Sequence, residues 1–203
     1  MESWIIEIME KFGYLGILIL IAVENIFPPI PSEIILTFGG FMTTRTELTP
    51  LGVIITATLG SLIGAIILYY IGRILEVERL EKIIDRWGKL LRVKKEDIHR
   101  ADAWFDKHGN KAVFFCRMIP LIRSLISVPA GMSGMKLTPF LFYTTIGTLI
   151  WNTVLVLLGT TLGDRWEDIV EFMDVYSNIA YAIIAIAIVV VLVLYLRRFK
   201  KNN

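Results

Sequence analysis

The chain has 203 residues, 55% of them hydrophobic and 20% charged, with a net charge of +2 at neutral pH. Soluble domains are less apolar than this, and a chain of this length could not bury several helices that are apolar all round, so a soluble globular protein is excluded. The lone Cys116 excludes an intramolecular disulfide and a cysteine-based metal centre.

The N-terminus "MESWIIEIMEKFGYLG" carries Glu2, Glu7 and Glu10 where a signal peptide carries positive charge, so it is expected to be retained. Residues 14–23 are apolar but too short to span alone. They read as the descending arm of a hairpin entering from outside, or as a short tilted span with the N-terminus inside. Residues 24–42, "ENIFPPIPSEIILTFGGFM", are broken by Pro28, Pro29 and Pro31, end on Gly39-Gly40, and carry Glu24 and Glu33. Residues 51–71 then run 21 positions without a charge, ~32 Å at ~1.5 Å per residue, enough to cross a hydrocarbon core of ~30 Å. Gly60-x-x-x-Gly64 within this run suits close helix packing.

The long polar stretch, residues 73–111, holds eleven Lys or Arg and eight Asp or Glu with apolar residues recurring between them. It reads as amphipathic helices at a membrane surface. His99 and His108 lie within it without neighbouring ligands, and no metal or cofactor is expected. Next comes "CRMIPLIRSLISVPAGMSGM", residues 116–135, which places Arg117 and Arg123 on either side of Pro120 in an apolar run. Residues 137–158 form a second span. Residues 164–174 carry one Arg against five acids, residues 179–196 are 18 positions without a charge, and the tail "RRFKKNN" is basic.

Basic segments stay cytoplasmic, and acids contribute little to orientation. Residues 73–111 and the tail are therefore expected inside and residues 164–174 outside. Residues 137–158 must then leave the cytoplasm and residues 179–196 return to it, so residues 112–135 must enter and go back as a re-entrant hairpin. The earlier broken stretch matches it. Pro28 to Gly39 is eleven positions, Pro120 to Gly131 is eleven, and "LTP" opens the span after each. The two spans run in opposite directions, so the repeats are inverted. Prolines and glycines interrupting matched segments of two inverted halves point to a transporter's substrate site. The expected fold is an all-α polytopic membrane protein forming one domain. Its first repeat is 1–72 (hairpin 14–42, span 51–71), followed by a cytoplasmic amphipathic segment, 73–111. The second repeat is 112–163 (hairpin 112–135, span 137–158), and a C-terminal span, 179–196, completes it.

A charge at the bilayer centre costs ~3 kcal/mol on insertion scales, so such residues usually pair and usually work. Here one hairpin carries acids and the other arginines. Glu24 and Glu33 could neutralise Arg117 and Arg123 if the hairpin tips meet. Arg117, near the polar stretch, could instead snorkel to the headgroups, and Glu33 could simply cap a hairpin's outer end. Two planar guanidinium forks match a phosphate, and a carboxylate away from water can exchange protons near neutral pH. The site residues read from the sequence are Arg117 and Arg123 for phosphate and Glu24 and Glu33 as membrane acids. Trp151, Tyr69 and Tyr70 read as structural or interfacial aromatics.

Three pieces resemble the DedA family, the bacterial branch of proteins with the VTT or SNARE-associated domain. They are Glu24 with "FPPIPSE", then "GSLIGAIILYYIGR" with Gly60, Gly64, Tyr69 and Gly72, and third the run Phe115-x-Arg117-x-x-Pro120-x-x-Arg123. The third continues through Ala130-Gly131, Met135, Phe140, Gly147 and Trp151. The resemblance covers about residues 15–165 and implies two opposed re-entrant hairpins with flanking spans. It implies a lipid transporter that returns undecaprenyl phosphate across the bacterial cytoplasmic membrane or moves phospholipids, with two acids and two arginines at Glu24, Glu33, Arg117 and Arg123. Some members carry Asp after a longer proline loop where this chain has Glu33.

The expectation is therefore a non-enzymatic, multi-pass protein of the cytoplasmic membrane with its C-terminus inside. It would recycle undecaprenyl phosphate from the outer to the inner leaflet for envelope synthesis, with or without proton coupling. A phosphatidylethanolamine flippase or scramblase, and a proton-coupled exporter of small solutes, are the alternatives. The expected partners are membrane lipids, not nucleic acid; a homo-oligomer is left open.

Overall fold

The computed structural model describes residues 3–27, 32–75, 95–120 and 122–165, with isolated positions 175, 178, 179, 182, 185 and 186. Every regular element among them is helical. In chain order they are α1 (Ser3–Phe12), α2 (Tyr14–Ile26), α3 (Ser32–Met42), α4 (Pro50–Ile74), α5 (Lys95–Cys116), α6 (Ile122–Leu125), α7 (Ser127–Met132) and α8 (Leu137–Leu162), closed by a 3-10 turn at Gly163–Arg165. Pro28, Pro29, Pro31, residues 76–94, the C-terminal tail and nearly all of the expected span 179–196 lie outside the described residues.

Local chemistry sets the helix ends. Gly13 has φ 53°, a left-handed conformation that costs a side-chain-bearing residue, and it separates α1 from α2. Thr49 caps α4, its Oγ1 accepting the Gly52 N–H at 3.1 Å, and Pro50 takes the first helical position, where its missing N–H is no loss. The Tyr14 hydroxyl accepts the Thr49 N–H at 2.8 Å and so ties the start of α2 to the start of α4. Both "LTP" sequences do open the long helices. They differ by a shift: Pro50 is the first residue of α4, whereas Pro139 is the third of α8.

At 25 and 26 residues, α4 and α8 are each ~38 Å long, sufficient to cross a bilayer, while α2 and α3, at 13 and 11 residues, are too short to do so alone. The faces of α4 are sorted in the reverse of a water-soluble helix. Leu51, Ile55, Leu59, Ile63 and Ile67 are exposed, and Thr58, Gly60, Ser61 and Gly64 are buried. On α8, Leu149, Ile150, Val154 and Leu157 are exposed, and Thr144, Gly147, Thr148 and Asn152 are buried. Water would penalise such apolar stripes at ~25 cal/mol per Å². Lipid does not, and there helices associate instead through small and polar residues. This is the surface of a membrane protein.

The packing is reciprocal. α2 lies chiefly on α4 and α3 on α8, while α5 lies on α8 and α7 on α4. α3 thus crosses α8, and α7 crosses α4. Glycines mark both crossings. A Cβ on Gly40 would meet the Val156 carbonyl oxygen and one on Gly159 the Thr37 carbonyl oxygen; one on Gly131 would meet that of Tyr69 and one on Gly72 that of Val128. In each case the carbonyl comes from the residue three before a glycine of the opposite pair. Gly40 and Gly131 thus take similar places at the two crossings. Gly39 faces Val53 instead. The expected division between residues 111 and 112 also falls inside an unbroken helix, because α5 runs from Lys95 to Cys116.

The apolar interior forms two clusters. One gathers Ile5, Met9, Ile17, Ile21, Ile35, Val53 and Leu155, and the other Ala65, Tyr69, Phe105, Val113, Ala130 and Phe140. Along α4, Thr58 and Ser61 fall between Ala57 of the first cluster and Ala65 of the second; along α8, Thr144, Thr148 and Asn152 fall between Phe140 and Leu155. The buried polar layer is thus halfway along both long helices.

Candidate functional site

Glu24 sits in the last turn of α2 and is 3% exposed; Arg117 and Arg123 are 2% and 5% exposed. The chain between the arginines is what lets both enter one site. Residues six apart on a continuous α-helix point ~240° apart. Here α5 ends at Cys116, and the chain tightens: the N–H groups of Arg117, Met118 and Ile119 bond back to the carbonyls of Phe114, Phe115 and Cys116. Pro120, which has no N–H to offer, carries the turn onward, and the Ile122 N–H returns to the Pro120 carbonyl at 2.7 Å. α6 then starts with Arg123 in it, and the Arg123 N–H bonds back to the Ile119 carbonyl at 3.0 Å. Arg117 and Arg123 line one cavity together with Asn25, Ser61, Thr148 and Trp151.

The Arg123 guanidinium and the Glu24 carboxylate approach to 2.7 Å, the charge-assisted distance. Asn25 links this pair to the second arginine. Its Nδ2 donates to Glu24 Oε2 at 3.3 Å and to the Ile21 carbonyl at 3.3 Å, and its Oδ1 accepts from Arg117 at 3.3 Å. Only this amide orientation satisfies a carboxylate on one side and a guanidinium on the other. Arg117 also donates to Ser127 Oγ at 2.9 Å and to Thr144 Oγ1 at 3.4 Å. It has no carboxylate partner among the described residues, and its Nε is buried without a hydrogen-bond partner, as are Ser124 Oγ and Asn152 Oδ1. The cavity is about 10 Å³, the lower limit for a single water.

Close helix contacts hold these parts. A Cβ on Gly64 would lie 2.5 Å from Asn25 Cβ, and one on Gly147 would lie 2.9 Å from Arg117 Cβ. The expected packing role of Gly60 and Gly64 is seen, since Gly60 abuts the Leu18 carbonyl. Asn152 Nδ2 donates to Thr58 Oγ1 at 3.2 Å and joins α4 to α8 beneath the site. Tyr69 is fully buried, stacks on Phe140 with centroids 4.9 Å apart, and donates its hydroxyl hydrogen bond to the Met135 carbonyl.

Three of the four charged residues singled out in the sequence therefore meet. Glu33 lies half-buried in the first turn of α3, within electrostatic reach of Glu24, where a negative charge suits the helix N-terminus. There its carboxylate accepts from Ser32 Oγ at 3.2 Å. Sequence reasoning missed Asn25, Ser127, Thr144, Ser61 and Thr148, and assigned Trp151 to packing. Their signal was available: each is a polar or amphipathic side chain inside an apolar membrane segment.

The VTT domain model matches residues 30–161. The chain is 57% identical to the "Alkaline phosphatase-like protein" of Lactococcus lactis subsp. cremoris (strain MG1363), over 100% of this chain and 96% of that one. It is 45% identical to "Undecaprenyl phosphate transporter A" of Staphylococcus aureus (strain NCTC 8325 / PS 47), over 99% of each chain. It is 35% identical to the protein of the same name from Bacillus subtilis (strain 168), over 93% of this chain and 90% of that one. No solved structure matches the chain.

Proposed function

Since the chain belongs to the VTT-domain (DedA) family, we propose that it is a lipid transporter of the bacterial cytoplasmic membrane that returns undecaprenyl phosphate from the outer to the inner leaflet. The observation that carries this reading is the convergence of Arg117 and Arg123 on one enclosed polar cavity, with Glu24 bound to Arg123. Guanidinium forks bind phosphate oxygens in pairs. The polyprenyl tail would stay in hydrocarbon beside the short helices while the headgroup enters.

A cavity of about 10 Å³ is too small for a phosphate, so in this reading the site must widen from its compact state to admit one. Glu24 occupies Arg123 in that state. An entering phosphate takes its place, and Glu24 returns as the phosphate leaves, so Arg123 is never left uncompensated at low dielectric. The reciprocal packing supports two inverted repeats, α2–α3–α4 and α5–α6–α7–α8, whose short arms form re-entrant hairpins. In this reading each hairpin opens the site to one leaflet, the chain is one domain, and its C-terminus is cytoplasmic. Glu33, outside the arginine cluster, takes the part of a carboxylate at the mouth of the first hairpin.

Trp151 lines the cavity, which gives a direct binding test. In a variant retaining only this tryptophan (Trp4, Trp87, Trp104 and Trp166 changed to Phe), undecaprenyl phosphate should change the fluorescence saturably, and Arg117→Ala with Arg123→Ala should abolish the change. An unresponsive Trp151 in folded protein would remove the phosphate from this cavity and overturn the reading.

A further inference from the structure

A hydroxyl buried in an apolar helix commonly bonds back to the carbonyl one turn earlier. Thr145, Thr160 and Thr161 do so on α8. In the polar layer, Thr58 donates to the Ile54 carbonyl at 2.7 Å and accepts from Asn152 at 3.2 Å, and Thr144 accepts from Arg117 at 3.4 Å. Ser61 and Thr148 differ. They are 2% and 5% exposed and line the cavity with Arg117 and Arg123, yet neither hydroxyl has a hydrogen-bond partner among the described residues. One stands on α4 and the other on α8.

A buried polar group without a partner is unfavourable. Alanine at position 61 and valine at position 148 would keep nearly the same shape without that cost. The two hydroxyls therefore point to a partner that is not part of the protein, and its chemistry follows from its other neighbours. Arg117 and Arg123 offer donors only, and a hydroxyl beside them can donate as well. The partner must then present several acceptors at once and carry negative charge, which a phosphate does.

We propose that Ser61 and Thr148 are headgroup-binding residues: their hydroxyls donate to phosphate oxygens beside those taken by Arg117 and Arg123, so that the phosphate is held from both long helices. This rests on the lipid-transport reading and deepens it. A bound phosphate joins α4 to α8 across the site, as the Thr58–Asn152 bond does one turn away.

The test separates a donor from a packing group. Binding of undecaprenyl phosphate to the full chain is read by Trp151 fluorescence in the background that retains this tryptophan alone, and the unfolding temperature of ligand-free protein is measured alongside. Ser61→Ala and Thr148→Val should each raise Kd about tenfold, the worth of a hydrogen bond to a charged group. Neither should lower the unfolding temperature, because neither removes a bond within the protein. Thr148→Ser keeps the hydroxyl and loses the methyl, and its Kd should stay within about twofold of the parent, whereas a packing role would make it the more harmful of the two changes at this position. Inorganic phosphate titrated in parallel distinguishes the lipid headgroup from the free ion: the lipid should bind at least tenfold more tightly, and equal affinity would overturn the lipid assignment. An unchanged Kd in Ser61→Ala or Thr148→Val would overturn the inference for that residue while leaving a lipid transporter standing. So would a weakened Kd that comes with a lowered unfolding temperature, or Thr148→Ser binding as poorly as Thr148→Val. If the parent bound no undecaprenyl phosphate, the transport reading and this inference would fall together.

Discussion

If Glu24 competes with the substrate for Arg123, as proposed, the two partners should respond differently to mutation. Arg123→Ala leaves a carboxylate 3% exposed with its cation gone. Breaking a buried pair this way costs ~3–5 kcal/mol, so thermal unfolding in detergent should move to a clearly lower temperature and transport should stop. Glu24→Gln removes the competitor. Undecaprenyl phosphate should then bind more tightly, by an order of magnitude in Kd, while turnover slows because nothing displaces the phosphate. Weaker binding in Glu24→Gln would mean that the carboxylate assists substrate binding. The charged members were legible in the sequence because an ion in an apolar run has few structural uses. Asn25, Ser127 and Thr144 were visible only as polar residues in apolar segments, because neutral polar residues also serve helix packing, and only coordinates reveal which face a guanidinium. Glu33 shows the limit of the sequence, where an acid in a proline-rich hairpin looks the same whether it reaches the arginines or caps a helix.

At the level of elements, the break after α5 decides whether both arginines can serve one ligand. Pro120→Ala restores an N–H and permits helix to continue through residues 117–123. Transport should fall at least tenfold with little change in thermal stability, which separates a lost direction from a lost fold; wild-type transport would show that the turn is held by tertiary packing alone. Gly64 makes the opposite kind of contribution. Gly64→Leu pushes a side chain into Asn25 and the Ala22 carbonyl, and overpacking of this kind costs ~1–3 kcal/mol. Both stability and transport should drop, as measured by unfolding temperature and flux. The proline and glycine signals were readable because these residues restrict or free the backbone in known ways. The boundary drawn at residues 111–112 falls within α5, because charge changes there while helical periodicity does not. α5 therefore carries the polar segment straight into the second hairpin.

For the whole molecule, α3 packs on α8 and α7 on α4, and in the proposed account alternating access works by loosening one of these contacts while the other holds. Thr43 and Thr160 place hydroxyls 3.3 Å apart across the first contact. In a Cys116→Ser background, Thr43→Cys with Thr160→Cys should cross-link on oxidation and stop transport, and reductant should restore it. Full transport in cross-linked protein would show that this contact never opens. The proposed repeat shows in the sequence as spacing alone. The reciprocal carbonyl–glycine contacts that define its register, Gly40 with Val156 and Gly131 with Tyr69, join residues of different halves, and no local pattern encodes them. The account stands most directly on the flux of undecaprenyl phosphate across proteoliposomes containing purified wild type, Arg123→Ala or Glu24→Gln. It predicts movement by wild type, none by Arg123→Ala and slowed movement by Glu24→Gln, all in folded protein. Equal flux in wild type and Arg123→Ala would contradict it.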